Sequence, residues 1–215
     1  MGAPWEDGPV FTFAPRDGWV FWTAGLDGPG WADVAAQIAG GDDDERVLGA
    51  VRDHDQRATA DGQAWGAGLW FPPHHDRSPV AMLLVRSFAE RGDVDKAYRT
   101  FVKQARKMPR IKDVTVSSYD VGEGTSNVGR LVEQVIDTVD ARSEALVSTW
   151  RYTIFPPDHD EVVSVEVDTL HAHMVDAVED ELVELLAYAS YTAPEAAHAA
   201  AEEGGSSPLH PVVRG

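Results

Sequence analysis

The fold of this chain turns on Val128-Gly129-Arg130-Leu131-Val132-Glu133-Gln134-Val135-Ile136-Asp137-Thr138-Val139. Two readings compete over it. Val128, Leu131, Val132, Val135, Ile136 and Val139 recur at helical spacing. The β-branched content favours a strand, where branched side chains pack on a pleated surface. The residues after it tip the balance toward a strand, although the helix stays open. Asp140-Ala141-Arg142-Ser143 has the composition of a hairpin turn. It leads into Ala145–Phe155, which places Leu146, Trp150, Tyr152 and Ile154 on one face. Val163, Val165 and Val167 then alternate with Ser164, Glu166 and Asp168, as in a strand buried on one side.

On the N-terminal side, Asp113–Val121 also alternates, and Gly122–Asn127 reads as a turn before the stretch above. Further upstream, Asp93 caps a helix whose apolar face is Val94, Ala97, Phe101, Ala105 and Met108, ended by Pro109. Ser78–Phe88 alternates Val80, Met82, Leu84 and Arg86 against Ala81, Leu83, Val85 and Ser87, and the mixed character of both faces suits a central, covered strand. Gln63–Pro73 reads as a strand stopped by its prolines. Asp42-Asp43-Asp44-Glu45 opens a helix that ends near Asp61-Gly62, and Trp31–Ile38 forms another helix before it. Phe11–Phe13 and the aromatics Trp19, Phe21 and Trp22 are strand candidates. Met174–Tyr188 is the closing helix, striped by Met174, Val178, Leu182, Leu185 and Leu186. The reading gives a flexible N-terminus over 1–10, one α+β domain over 11–190, and a disordered Ala/Glu/Gly/Ser/Pro-rich tail over 191–215.

Composition narrows the function. The chain has 215 residues, 43% hydrophobic, enough for a full core without staples. It has no cysteine, which excludes disulfides, thiolate catalysis and iron–sulfur ligation. Acidic residues outnumber basic ones 36 to 18, for a formal charge of −18. That field repels phosphate backbones and anionic bilayers, so neither nucleic acid nor membrane insertion is expected. No run reaches the roughly 20 apolar residues a spanning helix needs. The opening residues lack a basic, then apolar, signal pattern. A soluble cytoplasmic protein is the expectation.

The order of elements resembles the PsbP-like superfamily, which covers photosystem extrinsic proteins, a Ran-binding relative and mycobacterial LpqN-like lipoproteins. Ala14-Pro15-Arg16-Asp17-Gly18-Trp19 is similar to the family's opening, Gly92-Asp93-Val94-Asp95 to the start of its middle helix, and Val162–Leu170 with Leu186-Ala187-Tyr188-Ala189-Ser190 to its end. The helical stretch Trp31–Ala60 is longer than the pattern, and the lipobox cysteine is missing. The resemblance implies a central antiparallel sheet flanked by helices on both faces, an α/β/α sandwich. It also implies a protein that acts by binding proteins or small ligands. A fold alone does not give a function.

Candidate chemistry is sparse. Trp70-Phe71-Pro72-Pro73-His74-His75-Asp76 and Ile154-Phe155-Pro156-Pro157-Asp158-His159-Asp160 resemble each other. If both turns lie at one end of the sheet, His75, Asp76, His159 and Asp160 could hold a metal. The plain alternative is solvated turn residues. Asp53-His54-Asp55 and the pair His171 and His173 raise the same question more weakly. Trp65, Trp70 and Trp150 could line a groove for a partner or ligand, although core packing is the default for aromatics. There is no phosphate loop, dinucleotide fingerprint or nucleophile elbow. The leading expectation is a non-enzymatic, protein-binding adaptor or chaperone-like module without a cofactor. A metal-dependent or small-molecule enzyme built on the His–Asp turns, and a structural subunit of a larger assembly, are the alternatives.

Overall fold

A computed structural model describes residues 10–41, 44–73, 77–89, 93–111, 114–140, 143–157 and 161–192. Val128–Val139 is extended. β6 (Gly129–Asp140) pairs with β5 (Val114–Ser126) on one side and β7 (Leu146–Phe155) on the other. β8 (Glu161–Thr169) completes an antiparallel meander. β8 then pairs with β4 (Ala81–Ala89), which continues to β3 (Ala64–Trp70) and β2 (Trp19–Thr23). The result is a seven-stranded sheet ordered β2-β3-β4-β8-β7-β6-β5, every neighbour antiparallel. β4 and β8 lie at its centre, as the mixed character of both faces of β4 suggests.

Four helices connect and cover the strands. α1 (Gly28–Ala39) and α2 (Glu45–Asp61) link β2 to β3, α3 (Val94–Ala105) links β4 to β5, and α4 (Val175–Ala187) follows β8 after a single 3-10 turn at Ala172–Met174. Aspartates cap the first three: the Asp27, Asp44 and Asp93 carboxylates accept from backbone N–H groups of the opening turns. No helix among the described residues is long and apolar enough to cross a membrane.

The strand pleat divides the core in two. On one face Trp19, Trp70, Leu83, Val165, Trp150 and Ile154 pack under Val178, Leu182, Leu185 and Leu186 of α4. On the other, Val20, Trp22, Ala67, Leu69 and Leu84 pack under Val34, Val47, Val51 and Ala58 of α1 and α2. α3 lies on this second face, over Val132, Phe155 and Val162. Helices therefore flank the sheet on both faces, in the α+β sandwich expected.

Two boundaries differ from the sequence reading. Gly122–Asn127 is not a turn, because β5 runs on to Ser126. Gly122 and Gly124 stand within the strand, in register with Glu133 and Leu131 of β6. The reversal is tighter, at Asn127-Val128, and uses Gly129 at φ +135°, where any Cβ would overlap the Phe155 carbonyl. At the other end, β9 (Ser190–Thr192) pairs with β1 (Val10–Thr12), so residues 191 and 192 belong to a two-stranded ribbon and not to the tail. Residues 1–9 and 193–215 lie outside the described residues.

Candidate functional site

A groove of about 1030 Å³ opens on the second face of the sheet, between the end of α2 and α3. Asp61 and Gln63, at the end of α2, form one wall; Lys96, Thr100 and Gln104, a four-residue stripe along α3, with Lys107 just past its end, form the other.

The floor follows from strand register. Cross-strand partners share a face, so β4, β8 and β7 present their side chains in rows. Phe88 pairs with Val162, and Phe155 lies beside them, giving an apolar row at one end. The next row is Arg86, Ser164 and Thr153. Glu166, Arg151 and Gln134 form the third.

The charges of the floor are paired. The Arg86 guanidinium donates through Nε to Asp61 Oδ1 at 3.0 Å, through Nη2 to Asp61 Oδ2 at 3.0 Å, and through Nη2 to Glu166 Oε1 at 3.2 Å. Arg151 donates to Glu166 Oε2 from Nε at 2.9 Å and from Nη2 at 2.6 Å. Burial pushes the Glu166 carboxyl up, and the Arg151 and Arg86 guanidiniums outweigh it, leaving its pKa below the ordinary 4.5. Hydrogen bonds from Arg86 likewise hold Asp61 below its ordinary value. Glu166 and Arg86 side chains are only 10% and 13% exposed, whereas Arg151 is 40% exposed and faces the groove. At the α3 side Gln134 Nε2 donates to the Tyr119 hydroxyl at 2.7 Å, and that hydroxyl donates to the Ala105 carbonyl.

The apolar lining is incompletely covered. Of the α3 stripe only Ala105 is buried, while Val94, Ala97, Tyr98, Phe101 and Val102 are half-buried. Phe88 is 38% exposed. The groove thus joins a half-covered aromatic belt to a polar floor of fixed geometry, the chemistry of a binding surface.

The tryptophans singled out from the sequence lie elsewhere. Trp70 and Trp150 are buried in the core under α4, and Trp65 is half-buried beside them, its indole N–H donating to Ser87 Oγ at 3.0 Å. None lines the groove. His75, Asp76, His159 and Asp160 lie outside the described residues. No group of three or more His, Asp or Glu side chains among the described residues could hold a metal.

Asp53-His54-Asp55 has a structural role. Asp55 is buried on α2 and gathers three donors: Trp22 Nε1 at 3.0 Å and Gly25 N at 2.9 Å on Oδ1, and Trp31 Nε1 at 3.0 Å on Oδ2. It ties α1 and β2 to α2. His54 is buried beside it, its Nε2 2.9 Å from the Leu83 carbonyl, and burial lowers its pKa below the ordinary 6.5. His171 and His173 sit edge to face, 5.8 Å apart, at the entry to α4.

The groove residues escaped sequence reasoning because Arg86, Arg151 and Glu166 lie 15 to 80 residues apart. One signal was available: basic residues crowd into 96–110 in an otherwise acidic chain.

No family model matches the chain, and no curated protein matches it. Among solved structures it is similar to LpqN, described as involved in cell envelope biogenesis of Mycobacterium tuberculosis. The likeness covers 89% of this chain and 87% of that one, at 13% identity and a TM-score of 0.50. What this chain shares with LpqN, a protein of PsbP-like fold, is the architecture of the sheet and its helices.

Proposed function

We propose that this chain is a non-enzymatic binding protein that holds a segment of another protein in the groove between α2 and α3. The observation that carries the reading is the groove itself, with aromatic side chains left half-covered beside a prearranged charge network. Both carboxylates central to that network are tied to guanidiniums and held ionised, so they are poised to position a ligand and not to exchange protons. No histidine lines the groove among the described residues. A rigid floor reduces the ordering cost of binding, and a half-exposed aromatic row supplies the area that anchors a partner side chain.

Membership of the PsbP-like superfamily belongs to this proposal, supported by the shared architecture. So does a cytoplasmic location, which stands beside a structural neighbour described by its part in cell envelope biogenesis. Separating soluble and envelope fractions of the source cells, with immunodetection of the chain, decides the location.

The test of function is capture of partners by the tagged full-length chain from its own cell extract, alongside Thr100→Trp. Thr100 is exposed on the groove side of α3, so an indole there obstructs the groove without disturbing the core. The reading expects a stoichiometric partner that Thr100→Trp loses while keeping its melting temperature. A partner retained equally by the obstructed groove, or no specific partner, overturns it.

A further inference from the structure

The charge of the groove wall runs against the charge of the chain. Acidic residues outnumber basic ones two to one overall, yet residues 94–111 carry Lys96, Arg99, Lys103, Arg106, Lys107 and Arg110 against the lone acid Asp95. One third of the molecule's 18 cations therefore sit on one helix and the few residues after it. Arg106 is paired, donating to Glu123 at 2.7 Å. The other five make no ion pair with any described residue, in a molecule with an excess of carboxylates available to neutralise them. Lys96 in the first turn of α3 and Lys107 just past its end line the groove, and Arg151 adds a partly exposed guanidinium to the floor between its walls. Apolar surface accompanies this charge: Phe88 in the groove, and Met108 and Ile111 just past α3, are among the exposed large hydrophobic residues.

We infer that the groove is selective for an acidic protein segment bearing an apolar anchor residue, its carboxylates meeting Lys96, Lys107 and Arg151 and its anchor seated on Phe88 and Phe101, which are backed by the buried Phe155. This rests on the reading of the groove as a protein-binding site. Charge complementarity gives such a partner its orientation and a faster approach, while the aromatic belt holds it. An anionic bilayer is the weaker fit. A planar surface would also face the carboxylates over the rest of the molecule, whereas a single chain entering the groove meets Lys96, Lys107, Arg86 and Arg151 against Asp61, Asp93 and Glu166.

The experiment is selection from a random peptide library displayed on phage, at low salt, against the full chain, Thr100→Trp, and the double variant Lys96→Glu with Lys107→Glu. Both lysines are exposed; a glutamate at 96, in the first turn of α3, suits the helix dipole, and one at 107, past its end, opposes it only weakly at that exposed position, so the double variant keeps its fold. Recovered sequences should be rich in Asp and Glu beside Phe, Leu or Met. A representative peptide should bind roughly tenfold more weakly to the double variant, and more weakly still as salt rises. Recovered sequences without acidic bias that Thr100→Trp still abolishes would overturn the charge selectivity and leave the groove reading standing. Recovery of no sequence whose binding depends on Thr100 would overturn both. Sedimentation of the chain with phosphatidylglycerol vesicles, lost on reversing the two lysines, would overturn the inference in favour of a lipid surface.

Discussion

Removing the Asp55 carboxylate separates a structural account of Asp53-His54-Asp55 from a chemical one. Its two oxygens satisfy three donors, two of them indole N–H groups from different elements. Asp55→Asn keeps one oxygen, which can serve Trp22 and Gly25, and turns an NH₂ group toward the Trp31 indole. One hydrogen bond to a charge is lost, and Trp31, half-buried, can turn partly to water. The cost is about 2 kcal/mol. Asp55→Ala deletes all three bonds and leaves the buried Trp22 N–H without an acceptor, for about 4 kcal/mol. For a domain of this size those figures lower Tm by roughly 4–8 °C and 8–16 °C. Urea unfolding followed by tryptophan fluorescence measures both, with Trp22 and Trp31 among the reporters. A stability within about 0.5 kcal/mol of the parent for Asp55→Ala, the range of an ordinary surface substitution, would rule out this role for the carboxylate.

Two further predictions concern the charge network and acid. Glu166→Leu leaves Arg86 with Asp61 alone and Arg151 without its carboxylate; with Arg151 able to reach water, the cost is about 2 kcal/mol, below that of a fully buried pair, and denaturant melts should show it. Acid should act in two windows. The folded pKa of His54 is depressed, so the unfolded chain takes its proton first; stability is full above 6.5 and declines as pH falls below it. Glu166 and Asp61 are depressed from 4.5 and 3.8, so their contribution is present above those values and is lost as pH falls through them to the folded pKa. Urea midpoints against pH check the order, and His54→Gln should flatten the upper window alone.

The sheet was legible where the pattern of burial is apolar, and ambiguous where it is not. In β6 the buried positions are Val132, Gln134, Ile136 and Thr138, with a period of two. Two of these are polar, so apolar residues alone show no alternation, and the remaining valines fall by chance at helical spacing. The hairpin turn after the strand resolved what the strand could not. Gly122 and Gly124 misled for a related reason: glycine signals a turn locally, while here both hold ladder positions opposite Glu133 and Leu131. The groove was out of reach. Glu166 lies between Arg86 and Arg151 only because β8 lies between β4 and β7, and no local pattern records that adjacency. Likewise Asp55 has the look of a metal ligand beside His54, since its indole partners, 24 and 33 residues away, meet it only on folding.

The sharpest test of a protein-binding groove is photo-crosslinking in the source cells, with benzoylphenylalanine placed singly at Phe88 in the groove and at Val183, exposed on the far side of α4. A groove that holds a protein segment predicts a discrete crosslinked species from position 88 and none from position 183. Crosslinks from position 183 alone, or the same species from both, would contradict it.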